Sequence, residues 1–442
     1  MKKSESLERL TRSLDEIRDQ GTLNGKNADR SENLHRLFLY PAMMVPETQS
    51  VIIKAISEIL PKNTFAIDPY MGSGTSLMSC MEFGFNVFGQ DINPLAVLLS
   101  KAKVALYDME GLQSALEKIK AHILNDKHKN VDVHFNSIDK WFNKKDQIDL
   151  SIIRRAIMKE PNQMFRNFFW VIIAEVIRTG SNDRTSTFKL HKRSDDDIKR
   201  RNIDNIKNFI SLATRGIEDL NDYKSKLQKD HLIEGNNYKG IAEIVWGNTM
   251  ESINTKRKFD ILVSSPPYGD NQTTVTYGQN SYLPLQWIDS ADLDCSYDYL
   301  RTTQEIDRVS LGGIINSKEI NENKEKLFAK IPSLAKFYNE IPENERKIYN
   351  KTLSFIKDFE GSLDKIIDVM KPEAFYVWTI GNRFVKSREV PNDTILIDLM
   401  HSRGIELFYK AERQILNKKQ PRMNNYSKTM EKEQILIFHK NN

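Results

Sequence analysis

The sequence predicts a doubly wound α/β fold that carries large helical insertions and closes with a C-terminal antiparallel hairpin. Two observations lead to this prediction. Between residues 64 and 102, an apolar strand, a glycine turn, a helix, a second strand that ends in an acid, and another helix follow in order. Further strand patterns return only after residue 240, and charged stretches with helical periodicity separate them.

Strands are marked by short apolar runs that end at turn residues. We expect them at 64–68, 86–91, 242–248, 259–265 and 374–382, with a final antiparallel pair in GIELFYKAERQIL and EQILIFHK. Helices are predicted to begin near Pro46, after the glycine turn at 69–75, and near Pro94.

Charged, helix-patterned stretches interrupt the strands twice. No clear strand pattern occurs between 103 and 240, so this first insertion is expected to be helical. The predicted organisation is an N-terminal helix at 1–30, a main α/β domain at 31–102 and 240–442, a helical insertion at 103–239, and a second insertion at 290–370 within the main domain.

Composition limits the class of function. The 442 residues are 39% hydrophobic and 28% charged, as in a globular protein, and the net charge of +5 permits a polyanionic partner without requiring it. The longest apolar run, around Trp170, is too short to span a bilayer, and the N-terminus lacks the apolar segment of a secretory signal. We therefore expect a cytoplasmic protein with no membrane partner. Cys80 and Cys295 lie in no metal-binding pattern, so no metal site is predicted.

The glycine turn, DPYMGSGT at 68–75, follows the first strand, at the sheet edge where open α/β folds bind ligands. Its two glycines would let the backbone approach a ligand closely, and Asp68 would accept a hydrogen bond from the ligand or hold a water. Asp91, at the end of the second strand, is placed to hold ribose hydroxyls. Leu77 occupies the position of the third glycine of a dinucleotide fingerprint, and no Gly-Lys pair follows, so nicotinamide dinucleotides and nucleoside triphosphates are disfavoured.

A second turn, SSPPYGD at 264–270, follows the apolar strand FDILV, and we refer to it as the proline turn. Its prolines donate no backbone hydrogen bond, so they suit the end of a strand, where they hold carbonyl groups in a rigid geometry. The exocyclic amine of a nucleobase is a poor nucleophile because its lone pair is delocalised into the ring. Ser265 Oγ and the Pro266 carbonyl would accept its two hydrogens while Tyr268 stacks on the base, which must first leave the duplex.

DPYMGSGT, QDINP and SSPPYGD together resemble the motifs of the S-adenosylmethionine-dependent DNA amino-methyltransferases, the cytosine-N4 and adenine-N6 enzymes of restriction–modification systems. The resemblance covers about 31–102 and 240–285 and is weaker at 363–440. It implies a Rossmann-like methyltransferase sheet, S-adenosyl-L-methionine as cofactor, and catalytic roles for Ser265, Pro266, Pro267 and Tyr268. The cofactor-binding residues that it implies are Tyr40, Pro41, Asp68, Pro69, Gly72, Ser73, Gly74, Thr75, Asp91, Ile92 and Asn248.

The same resemblance implies double-stranded DNA as substrate and a cognate restriction endonuclease as partner. One or both insertions should contain the target-recognition region, with 103–239 as the first candidate. A basic set within it supplies candidate phosphate contacts, and the segment 271–287 is predicted to be a loop near the flipped base. The DNA-contacting residues predicted from these segments and from the C-terminal basic loop are Arg184, Lys189, Lys192, Arg193, Tyr277, Lys419 and Arg422.

Two alternative functions stay open beside site-specific DNA methylation. An RNA amino-methyltransferase would share the fold and a similar proline turn, and a DNA-binding homologue would keep the fold without catalysis. The serine form of the motif favours cytosine N4 over adenine N6, although both amines need the same pair of acceptors. A cytosine-C5 enzyme is excluded because it needs a cysteine nucleophile after a proline, and neither cysteine has that context.

Overall fold

The computed structural model describes residues 3–26, 32–186, 189–295, 300–416 and 430–440. The α-helices of these residues are α1 (Lys3–Asp19), α2 (Pro46–Ser57), α3 (Thr75–Met81), α4 (Pro94–Val104), α5 (Met109–Asn125), α6 (Ile138–Trp141), α7 (Lys144–Met158), α8 (Gln163–Gly180), α9 (Asp195–Arg200), α10 (Asn205–Lys229), α11 (Tyr277–Trp287), α12 (Glu305–Val309), α13 (Ser317–Lys330), α14 (Pro332–Asn339), α15 (Asn350–Asp368) and α16 (Asn392–His401). The strands are β1 (Phe65–Asp68), β2 (Asn86–Asp91), β3 (Ile233–Glu234), β4 (Asn237–Tyr238), β5 (Ala242–Trp246), β6 (Phe259–Ser264), β7 (Met370–Ile380), β8 (Phe384–Val385), β9 (Arg388–Glu389), β10 (Glu406–Gln414) and β11 (Lys432–His439).

Seven strands form one central sheet in the order β10-β11-β7-β6-β1-β2-β5. The five strands from β7 to β5 pair in parallel, whereas β11 is antiparallel to both β7 and β10. The chain winds outward from β1 through β2 to β5 and then returns to β6 on the other side of β1. Open α/β sheets bind their ligands at such a reversal. The predicted doubly wound sheet with a closing antiparallel hairpin is thus confirmed.

The sheet separates two apolar cores. Because side chains alternate along a strand, Ile261 and Val263 of β6 face the first core and Leu262 faces the second. Helices α5, α7, α8 and α10, which follow β2 in the chain, pack in the first core, and α13, α14 and α15, which follow β6, pack in the second. The two long helical stretches therefore lie on opposite faces of the sheet.

Three local predictions differ from the structure. Short hairpins formed by β3 and β4 and by β8 and β9 lie where no strand was predicted. The segment 271–287, predicted as a loop, forms α11 from Tyr277 onward despite containing Pro284. Asp307 supplies the reason, because its carboxylate accepts hydrogen bonds from the backbone N–H groups of Gly278 (2.8 Å) and Gln279 (3.2 Å). A cap that is remote in sequence thus satisfies the first turn of the helix.

Three general features bear on function. None of the helices within the described ranges is long and apolar enough to cross a membrane. In the same part of the chain, no group of three or more His, Cys, Asp or Glu side chains is arranged to hold a metal ion. Both cysteines are free thiols, with Cys80 buried and Cys295 partly buried.

Candidate active site

A cavity lies at the carboxyl ends of β1, β2, β5 and β6, where the strand order reverses. It contains about 850 Å³ of space when its open mouth is included. The structure brings the glycine turn, the acid after β2 and the proline turn around this one space. The predicted site residues that line it are Tyr40, Pro41, Pro69, Gly72, Ser73, Thr75, Asp91, Ile92, Asn248, Ser265, Pro267 and Tyr277.

Four further predicted residues, Asp68, Gly74, Pro266 and Tyr268, are not among those that line the cavity. Asp68 is fully buried, and its carboxylate accepts hydrogen bonds from Ser264 Oγ (2.6 Å) and the Tyr70 backbone N–H (3.0 Å), and also from the Ser76 hydroxyl. Burial raises the pKa of Asp68 to about 6. The carboxylate therefore ties the end of β1 to the end of β6.

Gly74 of the glycine turn lies too close to α4 to carry a side chain without a shift of its neighbours. Gly72 and Gly74 adopt φ values of 49° and 72°, in the left-handed region that favours glycine. A Cβ on Gly74 would lie 2.8 Å from Ser100 Oγ of α4, so the turn and that helix fit together only without it. This geometry holds the backbone of the turn against the cavity.

Asp91 ends β2 at the edge of the cavity. Its two carboxylate oxygens accept hydrogen bonds from the backbone N–H groups of Gly72 (2.9 Å) and Asn93 (2.8 Å). Burial raises the pKa of Asp91 to about 6. Each carboxylate oxygen can accept more than one hydrogen bond, so Asp91 keeps acceptor capacity for a ligand hydroxyl.

Asn93 organises the aromatic side of the cavity. Its side-chain oxygen caps α4 at the Leu95 N–H, and its amide nitrogen donates to the Tyr40 hydroxyl (3.0 Å) and to Ser281 Oγ of α11 (2.8 Å). The rings of Tyr40 and Tyr277 stack with their centroids 5.7 Å apart and 27° between their planes. One buried amide thus joins the segment before β1, the start of α4 and the helix that follows the proline turn.

The proline turn is anchored by its tyrosine to the C-terminal hairpin. Ser265 Oγ and the Tyr268 hydroxyl are 3.1 Å apart, and the same hydroxyl donates to Glu433 Oε1 of β11 (2.9 Å). The Asn392 amide donates to the Tyr268 carbonyl (3.0 Å). A Cβ on Gly381 would lie 2.9 Å from Tyr268 Cδ2, so the ring needs a glycine at the end of β7.

The last residue of the proline turn is a buried acid. Asp270 has no exposed surface and accepts hydrogen bonds from the Thr273 backbone (3.1 Å) and side chain (2.5 Å) and from Arg383 (3.3 Å). The Arg383 guanidinium also donates to Thr273 Oγ1 (3.0 Å). This network fixes the exit of the turn to the loop after β7.

A buried lysine supports the glycine turn from below. Lys103 of α4 is 1% exposed and its ammonium donates to the Ser73 carbonyl (2.8 Å). Burial lowers the pKa of Lys103 to about 7. The nearby His35 ring shares a hydrogen bond with Thr75 Oγ1 (2.9 Å), so two basic side chains brace the same turn.

Sequence reasoning missed several residues of the cavity. Asn93 lies two residues after Asp91 and directly before Pro94, a helix-start signal that identifies it as a cap and could have drawn attention to it. Asn271 lies just past the proline turn, and its Oδ1 atom is buried and has no hydrogen-bond partner among the described residues. Ile306 of α12 and Ser310, which directly follows that helix, also line the cavity, and no local pattern in the sequence indicates this placement.

The predicted basic residues lie on a short loop between α8 and α9. Asp183 and Lys192 form an isolated antiparallel bridge across it, and Arg184, Lys189 and Lys192 are exposed while Arg193 is partly buried. Lys192 also pairs with Asp195 (2.7 Å). The Leu190 N–H donates to Gln279 Oε1 of α11 (3.3 Å), so this basic loop lies beside the helix that follows the proline turn. Lys419 and Arg422 lie outside the described residues.

Neither cysteine is placed to act as a nucleophile. Cys80 is buried in α3, where burial raises the pKa of its thiol far above the usual value, and Cys295 has its pKa raised to about 11, also by burial. Neither residue lines the cavity. A cytosine-C5 mechanism, which needs a reactive thiolate, therefore has no support in the described part of the chain.

Comparisons with known proteins point to one class of enzyme. The chain is 31% identical over 433 residues to the type II methyltransferase M.MvaI of Kocuria varians, which covers 93% of this chain and 92% of that relative. It is also 33% identical over 88 residues to the type II methyltransferase M.MjaII of Methanocaldococcus jannaschii, a match to 20% of this chain and 16% of that relative. No protein-family model matches the chain.

Solved structures resemble the chain only weakly. The rRNA methyltransferase aviRa from Streptomyces viridochromogenes has 10% sequence identity and a TM-score of 0.33, with 93% of each chain covered. A likeness at this level is too low to bear on fold or substrate. The description of the fold therefore rests on the strand order and pairing given above.

Proposed function

The chain belongs to the type II methyltransferases, the methyltransferases of restriction–modification systems, and from that premise we propose that it methylates an exocyclic amine of a base in double-stranded DNA. We propose S-adenosyl-L-methionine as the methyl donor and cytosine N4, in preference to adenine N6, as the acceptor. The observation that carries the proposal is the placement of Ser265, at the end of β6, in the same cavity as the glycine turn and Asp91.

The residues of the cavity fit this cofactor. Asp91 has acceptor capacity beyond its two backbone partners, as ribose hydroxyls require, and the glycine turn leaves room beside it because it carries no side chains there. Asn248 and Ile92 line the cavity near Asp91 and would contact the adenine, while Tyr40 and Pro41 would enclose the methionine part. When bound, S-adenosyl-L-methionine would supply a methyl group carried on a positively charged sulfur, and that sulfur is a good leaving group because it becomes a neutral thioether.

The proline turn would act on the acceptor amine. Ser265 Oγ would accept a hydrogen bond from the amine, and the rigid Pro266 carbonyl would accept the second, which favours the pyramidal, nucleophilic form of the nitrogen. The amine nitrogen, held in this form by the two acceptors, would take the methyl group as the bond from that group to sulfur breaks, and would then release one proton to solvent water. Tyr268 would contribute its ring to hold the base, after the base has left the duplex at a cost of roughly a few kcal/mol.

We also propose that the helical insertion at 103–239 contributes to DNA recognition. The basic loop with Arg184, Lys189 and Lys192 is exposed and lies beside α11, next to the proline turn, so phosphates there would be close to the flipped base. Tyr277, predicted as a base contact, instead stacks on Tyr40 at the inner wall of the cavity, where it would contact the cofactor or the flipped base. A cognate restriction endonuclease is the partner that membership of this family leads us to propose.

The proposal is tested by transfer of a radiolabelled methyl group from S-adenosyl-L-methionine to purified substrates. We expect incorporation into duplex DNA with many sequence contexts, and none into tRNA or ribosomal RNA. Ser265→Ala serves as the inactive reference. Incorporation into RNA alone would replace the DNA proposal with the RNA amino-methyltransferase, and absence of any transfer together with undetectable cofactor binding in calorimetry would favour a catalytically silent homologue.

A further inference from the structure

The structure contains a series of hydrogen bonds that leads from the proline turn, at the end of β6, to a carboxylate of the C-terminal hairpin. It runs from Ser265 through the Tyr268 hydroxyl to Glu433, over distances of 3.1 and 2.9 Å. Glu433 lies on β11, the last strand of the chain, and no motif in the sequence indicates a role for it. We infer that Glu433 is a positioning residue that fixes Ser265 as a hydrogen-bond acceptor toward the cavity.

The number of protons available fixes which atom donates in each of these hydrogen bonds. A carboxylate has no proton to donate, so the Tyr268 hydroxyl must donate its single proton to Glu433. Tyr268 can then only accept from Ser265, and the Ser265 proton points at Tyr268 and away from the cavity. Both lone pairs of Ser265 Oγ stay available on the side that lines the cavity. An amine with hydrogens to give would find an acceptor there.

Two features keep the hydrogen bonds from Ser265 through Tyr268 to Glu433 in this direction. Burial, with the neighbouring Glu433 charge as a second cause, raises the pKa of Tyr268 well above its usual value, so the hydroxyl keeps its proton. Arg413 forms an ion pair with Glu433, and the two residues face each other directly across the β10–β11 ladder. The guanidinium, which is 7% exposed, attracts Oε2 of the carboxylate, while Oε1 accepts from Tyr268.

The C-terminal hairpin thereby has a role beyond closing the sheet. A serine is not a base and carries no charge, so its direction as donor or acceptor depends on its partner. The carboxylate of Glu433 decides that direction through Tyr268, as the acid of a catalytic triad decides the tautomer of its histidine. The inference rests on the proposed function, because it gives Ser265 the acceptor role that amine methylation needs.

Glu433→Gln tests the inference most sharply because it keeps the size of the side chain and reverses the direction of the hydrogen bonds between residue 433, Tyr268 and Ser265. Arg413 can only donate, so it will take the amide oxygen and leave the NH2 group facing Tyr268. Tyr268 will then accept from Gln and donate to Ser265, whose own proton will turn toward the cavity. We expect kcat to fall about 10²-fold while the cofactor Kd stays within about twofold.

A double-mutant cycle with Tyr268→Phe separates positioning from a structural effect. If Glu433 acts through the tyrosine hydroxyl, Glu433→Gln will lower kcat in the wild-type background and will have no further effect in Tyr268→Phe. Multiplying effects in the double variant, or a kcat for Glu433→Gln within about twofold of the wild type, would overturn the inference. Glu412→Gln, an exposed acid on the same hairpin that pairs with Lys432, is the matched control and should leave kcat unchanged.

Loss of folding is checked separately. Thermal unfolding and cofactor binding are measured for every variant, and if Glu433→Gln does not fold, Glu433→Leu/Arg413→Leu removes both buried charges together. We expect the kcat of that double variant to match that of Tyr268→Phe, and a wild-type kcat would overturn the inference. A wild-type protein that methylates no DNA contradicts the proposed function itself, whereas an active wild type with an unaffected Glu433→Gln contradicts only the role of Glu433.

Discussion

The glycine turn and the proline turn end neighbouring strands and face the same cavity, but they are held in different ways. The Gly72–Ser73 backbone of the glycine turn is held from nearby in the chain, by Asp91 at the Gly72 N–H and by Lys103 at the Ser73 carbonyl. The proline turn is held by residues more than a hundred positions away, among them Glu433 and Arg383. The first arrangement builds a binding surface from backbone, and the second directs the hydroxyl of one side chain. Changes in the two turns should therefore affect different kinetic constants.

Ser265→Ala should have the largest effect. The variant removes the acceptor that the proposal assigns to the amine, so we expect kcat to fall about 10²- to 10³-fold and the cofactor Kd to stay within about twofold. Steady-state kinetics on duplex DNA and calorimetry with the cofactor measure the two quantities. Ser225→Ala, on the exposed side of α10, is the control. A variant that loses cofactor affinity and keeps its turnover would reverse the roles of the two turns.

Asp91→Asn should change the cofactor Kd rather than kcat. The amide keeps an oxygen for the Gly72 N–H and loses the charge that favours ribose hydroxyls, so we expect the cofactor Kd to rise about 10- to 100-fold. The kcat at saturating cofactor should change far less. Asp222→Asn, an exposed acid of α10, provides the comparison in the same titration. Unchanged affinity in Asp91→Asn would place the ribose elsewhere.

The pH dependence of cofactor binding gives a second test of whether Asp91 binds the ribose hydroxyls. The pKa of Asp91 is raised to about 6 in the free protein, and ligand hydroxyls bind better to the ionised carboxylate. Bound cofactor should therefore favour the deprotonated state, so affinity should be constant above neutral pH and should fall as the pH drops through about 6. Asp68, whose pKa is also raised to about 6, contributes a smaller effect because it does not line the cavity. Calorimetry between about pH 5 and pH 8 tests this, and a slope that persists unchanged in Asp91→Asn would assign it to another group.

Lys103→Met should have the smallest effect, on stability. The pKa of Lys103 is lowered to about 7 in the folded protein, below its value of 10.5 in an unfolded chain. The unfolded state thus binds more protons between these values, and the wild type loses stability as the pH falls from about 10 toward 7. The methionine variant lacks this linkage, so its Tm relative to that of the wild type should rise as the pH falls from about 10 to about 7. Thermal unfolding at several pH values measures the difference, with Lys118→Met, on the surface of α5, as control. Parallel curves for wild type and Lys103→Met would show that the buried ammonium costs nothing.

The same contrast explains what the sequence alone could predict. The positions of the strands, the glycine turn and Asp91 follow from short-range patterns, because a strand, a turn and a helix start are written within a few residues of one another. The cap that Asp307 gives to α11 and the anchor that Glu433 gives to Tyr268 depend on how distant segments pack against the sheet. No local pattern encodes that packing, and for this reason α11 was predicted as a loop.

The sequence also does not predict which side chains line the cavity. Asp68 belongs to the motif that the sequence singles out, yet it is buried and does not line the cavity, and Ser264 and Ser76 use its oxygens. Ser310, which directly follows α12, lines the cavity although its surroundings in the sequence carry no motif. A motif thus identifies the turn that forms a site, while the contacts of each side chain follow from the tertiary structure.

We propose that this cavity methylates an amine of a DNA base, with Ser265 as an acceptor of the amine hydrogens. Mass spectrometry of nucleosides from the DNA of cells that express the protein tests it most directly, beside cells that express Ser265→Ala. We predict N4-methylcytosine with the intact protein and its absence with the variant. N6-methyladenine in its place would correct the base and keep the mechanism. Neither methylated base in DNA from cells with the intact protein, or equal amounts with Ser265→Ala, would contradict the account.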